Sequence, residues 1–209
     1  MEPLTKGEYP KTMRLLVKSR LPKFCESEAR LVNGSFDFIG LNYYSSSYIN
    51  DVPRPSNYTP NYLTDSFTHA SFERDGRPLG LRAASFWLYV YPKGLLDILS
   101  YTKNKYNNPL IYINENGMSE FDDSSLSVEE SLLDTYRIDY YYRHFYYIRL
   151  AIKNGTNVKG YFAWSFLDHF EWGDGFTIRF GLNFVDYNDS LKRYPKLSAQ
   201  WYRNFLRRN

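Results

Sequence analysis

The chain has one cysteine, Cys25, so no internal disulfide can form and no thiolate cluster can bind a metal. Its three histidines, His69, His144 and His169, lack the spacing of zinc ligands. No apolar run approaches the length of a membrane span. The opening residues Met1-Glu2-Pro3-Leu4 lack the basic and apolar character of a secretory leader. No Gly-x-Gly-x-x-Gly or phosphate-loop pattern occurs, which leaves a nucleotide-binding fold without support. Charge of one sign is missing too: 26 Lys and Arg stand against 23 Asp and Glu, a net of +3. The arginines near the C-terminus, Arg203, Arg207 and Arg208, fit a solvated helix face better than a nucleic-acid patch. The expectation is therefore no nucleic acid and no membrane among the partners.

Aromatic residues are abundant, with 21 Tyr, 15 Phe and 4 Trp in 209 residues. Such enrichment fits either a tyrosine-rich core or amphipathic surfaces that meet polyhydroxylated ligands. The length suits one domain with a sizeable core, over residues 1–209. Asn-x-Ser/Thr sequons at Asn33, Asn57, Asn154 and Asn188 are glycan acceptors if the chain enters the secretory pathway.

The pattern predicts a helix over 11–18, stopped by Pro22, and a helical turn over 27–32. Residues 35–44 are dense in apolar residues and predict a strand. Residues 45–86 are long, polar and rich in Pro, Ser and Asn, the composition of a functional or disordered loop. A helix over 92–105 follows, then a short β-branched run from Leu110 to Ile113, opened by Pro109. Ser127-Val-Glu-Glu130 reads as a capping box for a long helix ending near Lys153, with Gly155 suited to its end. A third strand is predicted over 158–166, a strand–turn–strand over 176–187, and a closing helix over 196–208. That helix is expected to bury Leu197, Trp201, Tyr202 and Phe205. The order is βαβαβ, which implies parallel pairing. Three strands alone cannot close a barrel.

Glu115 sits between Asn114 and Asn116 at the carboxyl end of the second strand, with Gly117 marking the turn. Chemistry is placed at that end in parallel α/β architectures. A carboxylate there serves as nucleophile or general base, or is simply a solvated loop residue. The first strand ends in Asn42, Tyr43 and Tyr44, and the third is followed by Trp164 and Leu167-Asp-His-Phe-Glu-Trp172. Aromatic faces stack on sugars and carboxylates hydrogen-bond their hydroxyls, so these strand ends make a carbohydrate site plausible.

The segments FDFIGLNYY (36–44), YINENG (112–117), GYFAWSFLDHFEW (160–172), GFTIRFGLNFVDY (175–187) and RYPKLSAQWYRNFL (193–206) resemble, in order, the C-terminal part of plant β-glucosidases of glycoside hydrolase family 1. The resemblance spans essentially the whole chain. It implies the last three strand–helix units of a (β/α)8 TIM barrel, needing no metal or cofactor. It implies a retaining β-glucosidase in which Glu115 is the nucleophile, aimed by Tyr44. Asn42 supports the same corner, unless it is a turn asparagine satisfying its own backbone. By the same resemblance Trp164 stacks on the glucose and Glu171 and Trp172 hydrogen-bond its outer hydroxyls. Phe180 lies at the pocket rim and Trp87 flanks the aglycone. Asp168 and His169 are left as structural polar groups.

The chain departs from the family at Asn114, where Thr is usual, and at His169, where Asn is frequent. It also contains no T-x-N-E-P segment, the source of the family's acid/base carboxylate. Asp122 and Asp123 follow Glu115 too closely to substitute. The expectation is a chain inactive by itself and prone to aggregate through open strand edges, with the missing N-terminal half of the barrel as partner. A non-catalytic half-barrel that binds carbohydrate or a partner is the alternative. The resemblance and the sequons favour the secretory pathway, vacuolar or extracellular, for a full-length protein. Aglycone preference, and glucose against galactose, fucose or 6-phosphoglucose, stay open.

Overall fold

The computed structural model describes residues 1–207. Its centre is a parallel sheet of three strands: β1 (Ile39–Asn42), β2 (Ile111–Asn116) and β3 (Val158–Ala163), with β2 in the middle. Helix α1 (Pro92–Lys105) connects β1 to β2, helix α2 (Thr135–Lys153) connects β2 to β3, and helix α3 (Leu197–Leu206) closes the chain. Ile39 pairs with Ile111 and Leu41 with Ile113, after which the register shifts and Asn42 falls opposite Glu115. On the other edge Val158 pairs with Ile111 and Ala163 with Asn116.

The local chemistry explains the central elements. Pro92 starts α1, where its missing N–H costs no hydrogen bond, and Lys103 and Lys105 sit at the negative end of the helix dipole. Asn107 and Asn108 then take positive φ of 59° and 50°, so the chain turns before Pro109 and enters β2. Leu95 and Leu99, one helical turn apart, are fully buried with Ile111, Ile113, Ile148, Ala151 and Val158. That cluster fills the space between one sheet face and α1 and α2. Truncating Leu99 to Ala costs about 2–5 kcal/mol by the usual transfer and cavity terms.

The opposite face of the sheet carries Phe38, Tyr112 and Phe162, and it is open. Phe38 meets Tyr112 edge-on at 5.1 Å, yet Phe38 is 48% and Phe162 57% exposed. Glycine is required on this face: a Cβ on Gly40 would run into the Asn114 amide, and one on Gly160 into the Tyr112 ring.

Several expectations are corrected. Strand β1 begins at Ile39 rather than Ser35, because ladder pairing starts only where Ile39 meets Ile111. The long segment 45–86 is not a plain loop. It holds the ladders Tyr48–Asp51 with Thr68–Ser71 and Glu73–Arg74 with Arg77–Pro78, and Leu81–Arg82 pairs with Tyr89–Val90 beyond it. The Ser127–Glu130 capping box is real, but it caps only the helix Val128–Ser131. The chain breaks before α2 because the Asp134 carboxylate is drawn to Arg137 at 2.8 Å and to the Ser198 N–H at 2.8 Å. Residues 176–187 do not form a hairpin. Ile178–Arg179 pairs with Glu120–Phe121, and Asn183–Asp186 pairs with Lys192–Pro195. Helix α3 is shorter than predicted, and Phe205 is 44% exposed although it stacks on Phe145 at 4.7 Å. Arg208, assigned to that helix from sequence, lies outside the described residues.

A second cluster, with Met118, Tyr140, Tyr141, Ile178, Phe180 and Leu182, packs beyond the carboxyl ends of the strands. Buried ion pairs hold it in register. Asp168, 3% exposed, accepts from Arg179 Nη1 at 2.8 Å, Lys196 Nζ at 3.0 Å and the Gly181 N–H at 2.8 Å. Arg137, fully buried, pairs with Asp134 and Glu120 and donates to the carbonyls of Met118 and Phe180. Every partner is satisfied, the condition under which buried charge is tolerated.

Candidate active site

The carboxyl ends of the three strands are tied together through the backbone. The Tyr43 N–H donates to the Glu115 carbonyl at 2.9 Å, and the Trp164 N–H donates to the Asn116 carbonyl at 2.9 Å. Each link sets one candidate side chain beside the next. Gly117 lets the backbones meet, since a Cβ there would clash with the Trp164 carbonyl.

Glu115 is partly exposed, and its Oε2 accepts a 2.6 Å hydrogen bond from the Tyr44 hydroxyl. Tyr44 is held in turn: Trp87 meets its ring edge-on at 5.7 Å and Phe180 at 5.9 Å. Burial, and then the hydrogen bond to Glu115, push the Tyr44 hydroxyl far above the ordinary phenol range. It therefore stays a donor, and the carboxylate it serves is fixed in one direction.

Glu171 forms the other wall. It is 6% exposed and its Oε1 has no hydrogen-bond partner. Burial raises its carboxyl pKa, His169 and the Trp164 side chain oppose the rise, and Asp168 and Glu115 add to it. A buried carboxylate with a free acceptor, set near a second carboxylate, is the arrangement expected of a polar ligand site. Trp164 is half-buried and meets His169 edge-on at 5.2 Å. An open depression of about 680 Å3 adjoins this wall, lined by Asn114, Phe162, Trp164, Phe166 and His169 among others. Among the described residues no group of three or more His, Cys, Asp and Glu is placed to hold a metal ion.

The sequence-predicted residues divide. Tyr44, Glu115 and Trp87 come together, and Trp164 and Glu171 stand within electrostatic reach of them. Phe180 is corrected: it is 3% exposed and lies in the second core cluster beneath Tyr44, not at a rim. Trp172 is 87% exposed at a positive φ of 47°, and so projects into solvent rather than packing with the others. Asn42 is exposed, and its amide makes no hydrogen bond among the described residues. Asp168 is structural, as expected, through Arg179 and Lys196. His169, left as a structural polar group from sequence, has its Nε2 3.2 Å from Glu171 Oε1.

Sequence reasoning missed Asn116. It is fully buried, donates to the Tyr43 carbonyl at 2.7 Å and the Tyr140 hydroxyl at 2.8 Å, and accepts from Tyr161 at 2.7 Å. Its place directly after Glu115 was the only signal. The partners Tyr140 and Tyr161 are distant in sequence.

Fold and site together define an α/β protein with a parallel sheet and a paired-carboxylate, aromatic-walled site at the strand ends. The chain belongs to glycosyl hydrolase family 1, which it matches over residues 1–209. It is 53% identical over 206 residues to β-glucosidase 24 of Oryza sativa subsp. japonica, covering 99% of this chain and 41% of that protein. It is 58% identical over 209 residues to the isoflavonoid 7-O-β-apiosyl-glucoside β-glycosidase of Dalbergia nigrescens, covering 100% of this chain and 38% of that protein. The solved rice Os3BGlu6 β-glucosidase superposes with a TM-score of 0.93 at 43% identity, over 96% of this chain and 43% of that one. The glucose-bound family member from the fungus Humicola insolens gives a TM-score of 0.89 at 36% identity, over 98% of this chain and 43% of that one. The chain thus spans about two fifths of the length of these relatives.

Proposed function

We propose that this chain is the nucleophile-bearing part of a retaining β-glucosidase, made of the last three strand–helix units of its barrel. The observation that carries the reading is the 2.6 Å hydrogen bond from Tyr44 to Glu115 Oε2. A carboxylate aimed by a phenol is suited to attack an anomeric carbon. The glycosyl ester formed on Glu115 would then be hydrolysed with retention. Trp164 offers a stacking face to the glucose, and Glu171 offers its carboxylate to a sugar hydroxyl. Trp87, against Tyr44, borders the aglycone side. Trp172 and Asn42 reach the substrate only if the remaining barrel closes over them.

The open sheet face and free edges of β1 and β3 support a need for further strands. So does the acid/base carboxylate, which retaining chemistry requires about 5 Å from the nucleophile. Glu171 is a poor substitute, because it belongs to the hydroxyl-binding wall. The chain alone is inactive on this reading, down by about 10² to 10⁴-fold for want of general-acid catalysis. Asn33, Asn57, Asn154 and Asn188 are all exposed and accessible to glycans.

The test is hydrolysis of an aryl β-glucoside by the purified chain, alone and with the N-terminal part of a rice relative added in trans. No turnover is expected alone. With the added part, turnover with retention is expected, and Glu115→Gln should abolish it. Robust turnover by the isolated chain overturns the need for a second part. Turnover that survives Glu115→Gln overturns the nucleophile assignment.

A further inference from the structure

His169 and Glu171 are two residues apart, and their side chains converge on the same wall of the site. Nε2 of His169 lies 3.2 Å from Glu171 Oε1. The other ring nitrogen, Nδ1, is 2.8 Å from the Phe170 carbonyl oxygen. A carbonyl only accepts, so Nδ1 carries a proton. In a neutral ring Nε2 is then a lone pair, and it faces a carboxylate oxygen that is also an acceptor. Oε1 has no other donor, and Glu171 is 6% exposed, so water does not relieve the conflict. A single proton between the two atoms does.

We propose that His169 and Glu171 hold one proton between Nε2 and Oε1, and that His169 is thereby a positioning residue for the carboxylate that meets sugar hydroxyls. The second half of that statement rests on the carbohydrate-site reading of Glu171; the first half does not. The proton belongs to the pair, lying on the carboxyl in one microstate and on the imidazole in the other.

The surroundings favour keeping it. Asp168 and Glu115 both oppose a further negative charge on Glu171, although Asp168 is already engaged by Arg179 and Lys196. The phenols of Tyr44 and Tyr187 are also within electrostatic reach and are neutral. Trp164 packs its ring against His169, which limits ring rotation. Burial pushes the Glu171 carboxyl up, in the same direction. While the proton is held, Oε1 is anchored to His169. When it leaves, Oε1 is released as an acceptor for a ligand hydroxyl, and the pair becomes net negative.

The test uses the full chain labelled with 15N. At a pH of ~6.5 the His169 Nε2 resonance is expected to report a bound or shared proton. Glu171→Gln should return it to a lone-pair nitrogen while Nδ1 stays protonated. An Nε2 resonance unchanged by Glu171→Gln, or a bare Nδ1, overturns the proton-sharing pair. D-glucose is then titrated against the same chain from about pH 5 to about pH 8. The affinity is expected to rise with pH. Its midpoint is expected to shift in His169→Asn, whose amide can donate to Oε1 but holds no shared proton. A midpoint that does not move overturns the positioning role. If glucose does not bind at any pH, the titration is repeated with the N-terminal part of a rice relative added in trans; no binding there overturns the carbohydrate-site reading, and the nitrogen resonances decide the pair in either case.

Discussion

The Asn116 amide donates to the Tyr43 carbonyl at 2.7 Å, so the residue after Glu115 is clamped to the residue before Tyr44. The same side chain reaches Tyr140 on α2 and Tyr161 on β3. Three strand ends and a helix thus share one buried amide. The 2.6 Å contact between Tyr44 and Glu115 joins the same two chain segments, which the Tyr43 N–H also links through the Glu115 carbonyl at 2.9 Å.

Asn116→Ala should therefore be costly. It removes the amide donor to the buried Tyr43 carbonyl and one of two partners of the Tyr140 and Tyr161 hydroxyls, which keep the Tyr44 carbonyl at 3.2 Å and the Asn116 carbonyl at 3.5 Å; a buried group left unsatisfied costs about 1–3 kcal/mol. A loss of at least about 3 kcal/mol is expected in denaturant unfolding. A loss below about 1 kcal/mol would show that the amide is not a structural hub.

Asp168 gives a second expectation. Removing it strands Arg179 and Lys196, whose cationic groups are both largely buried. Asp168→Ala should destabilise by about 3–5 kcal/mol. Among the described residues Arg179 has a second carboxylate, Asp122 at 2.7 Å, and Lys196 pairs with none besides Asp168. The double variant Asp168→Ala with Lys196→Met should recover part of the loss in thermal unfolding.

His144 governs an acid limb. It is fully buried in α2, its Nδ1 donates to the Tyr140 carbonyl at 2.7 Å, and its Nε2 has no partner. Burial lowers its pKa to about 4 from an ordinary value of 6.5. The folded chain therefore binds fewer protons than the unfolded chain between those values, and stability falls as pH falls through that window. The stabilisation is fully present above pH ~6.5, and roughly 3 kcal/mol is lost by pH ~4. His144→Phe should flatten this part of the stability profile, read by chemical denaturation across pH.

Gly117 lies where β2 passes under the Trp164 carbonyl. Gly117→Ala should force β2 and β3 apart at their carboxyl ends and weaken the Trp164 N–H bond to the Asn116 carbonyl. Amide exchange at Trp164 is the direct measure, with faster exchange expected. Exchange equal to the parent chain would show that the strand ends absorb a methyl group without moving.

Much of the site was legible because it is carried by contiguous segments. Glu115 was placed from a β-branched run that ends at a glycine, and Tyr44 from an apolar run that ends in two aromatics. Phe180 was misplaced because burial depends on what covers a residue. The ring lies under Tyr44, and that contact joins residues 136 positions apart. The helix break at Asp134 was hidden for a similar reason. One of the two groups that hold the Asp134 carboxylate, Ser198, is 64 positions away.

The sequence alone determined the βαβαβ order, since the periodicities of α1, β2 and β3 are local and strong. It also made Glu115, Tyr44, Trp164 and Glu171 candidates for chemistry, because they lie in contiguous segments at the predicted strand ends. Tertiary structure decided the rest: which acceptor each phenol serves, which charges are paired in the core, and that His169 points at Glu171. Those outcomes rest on side-chain distances of about 3 Å, most of them between residues on different elements. A periodic pattern has no record of such distances, because it describes one element at a time.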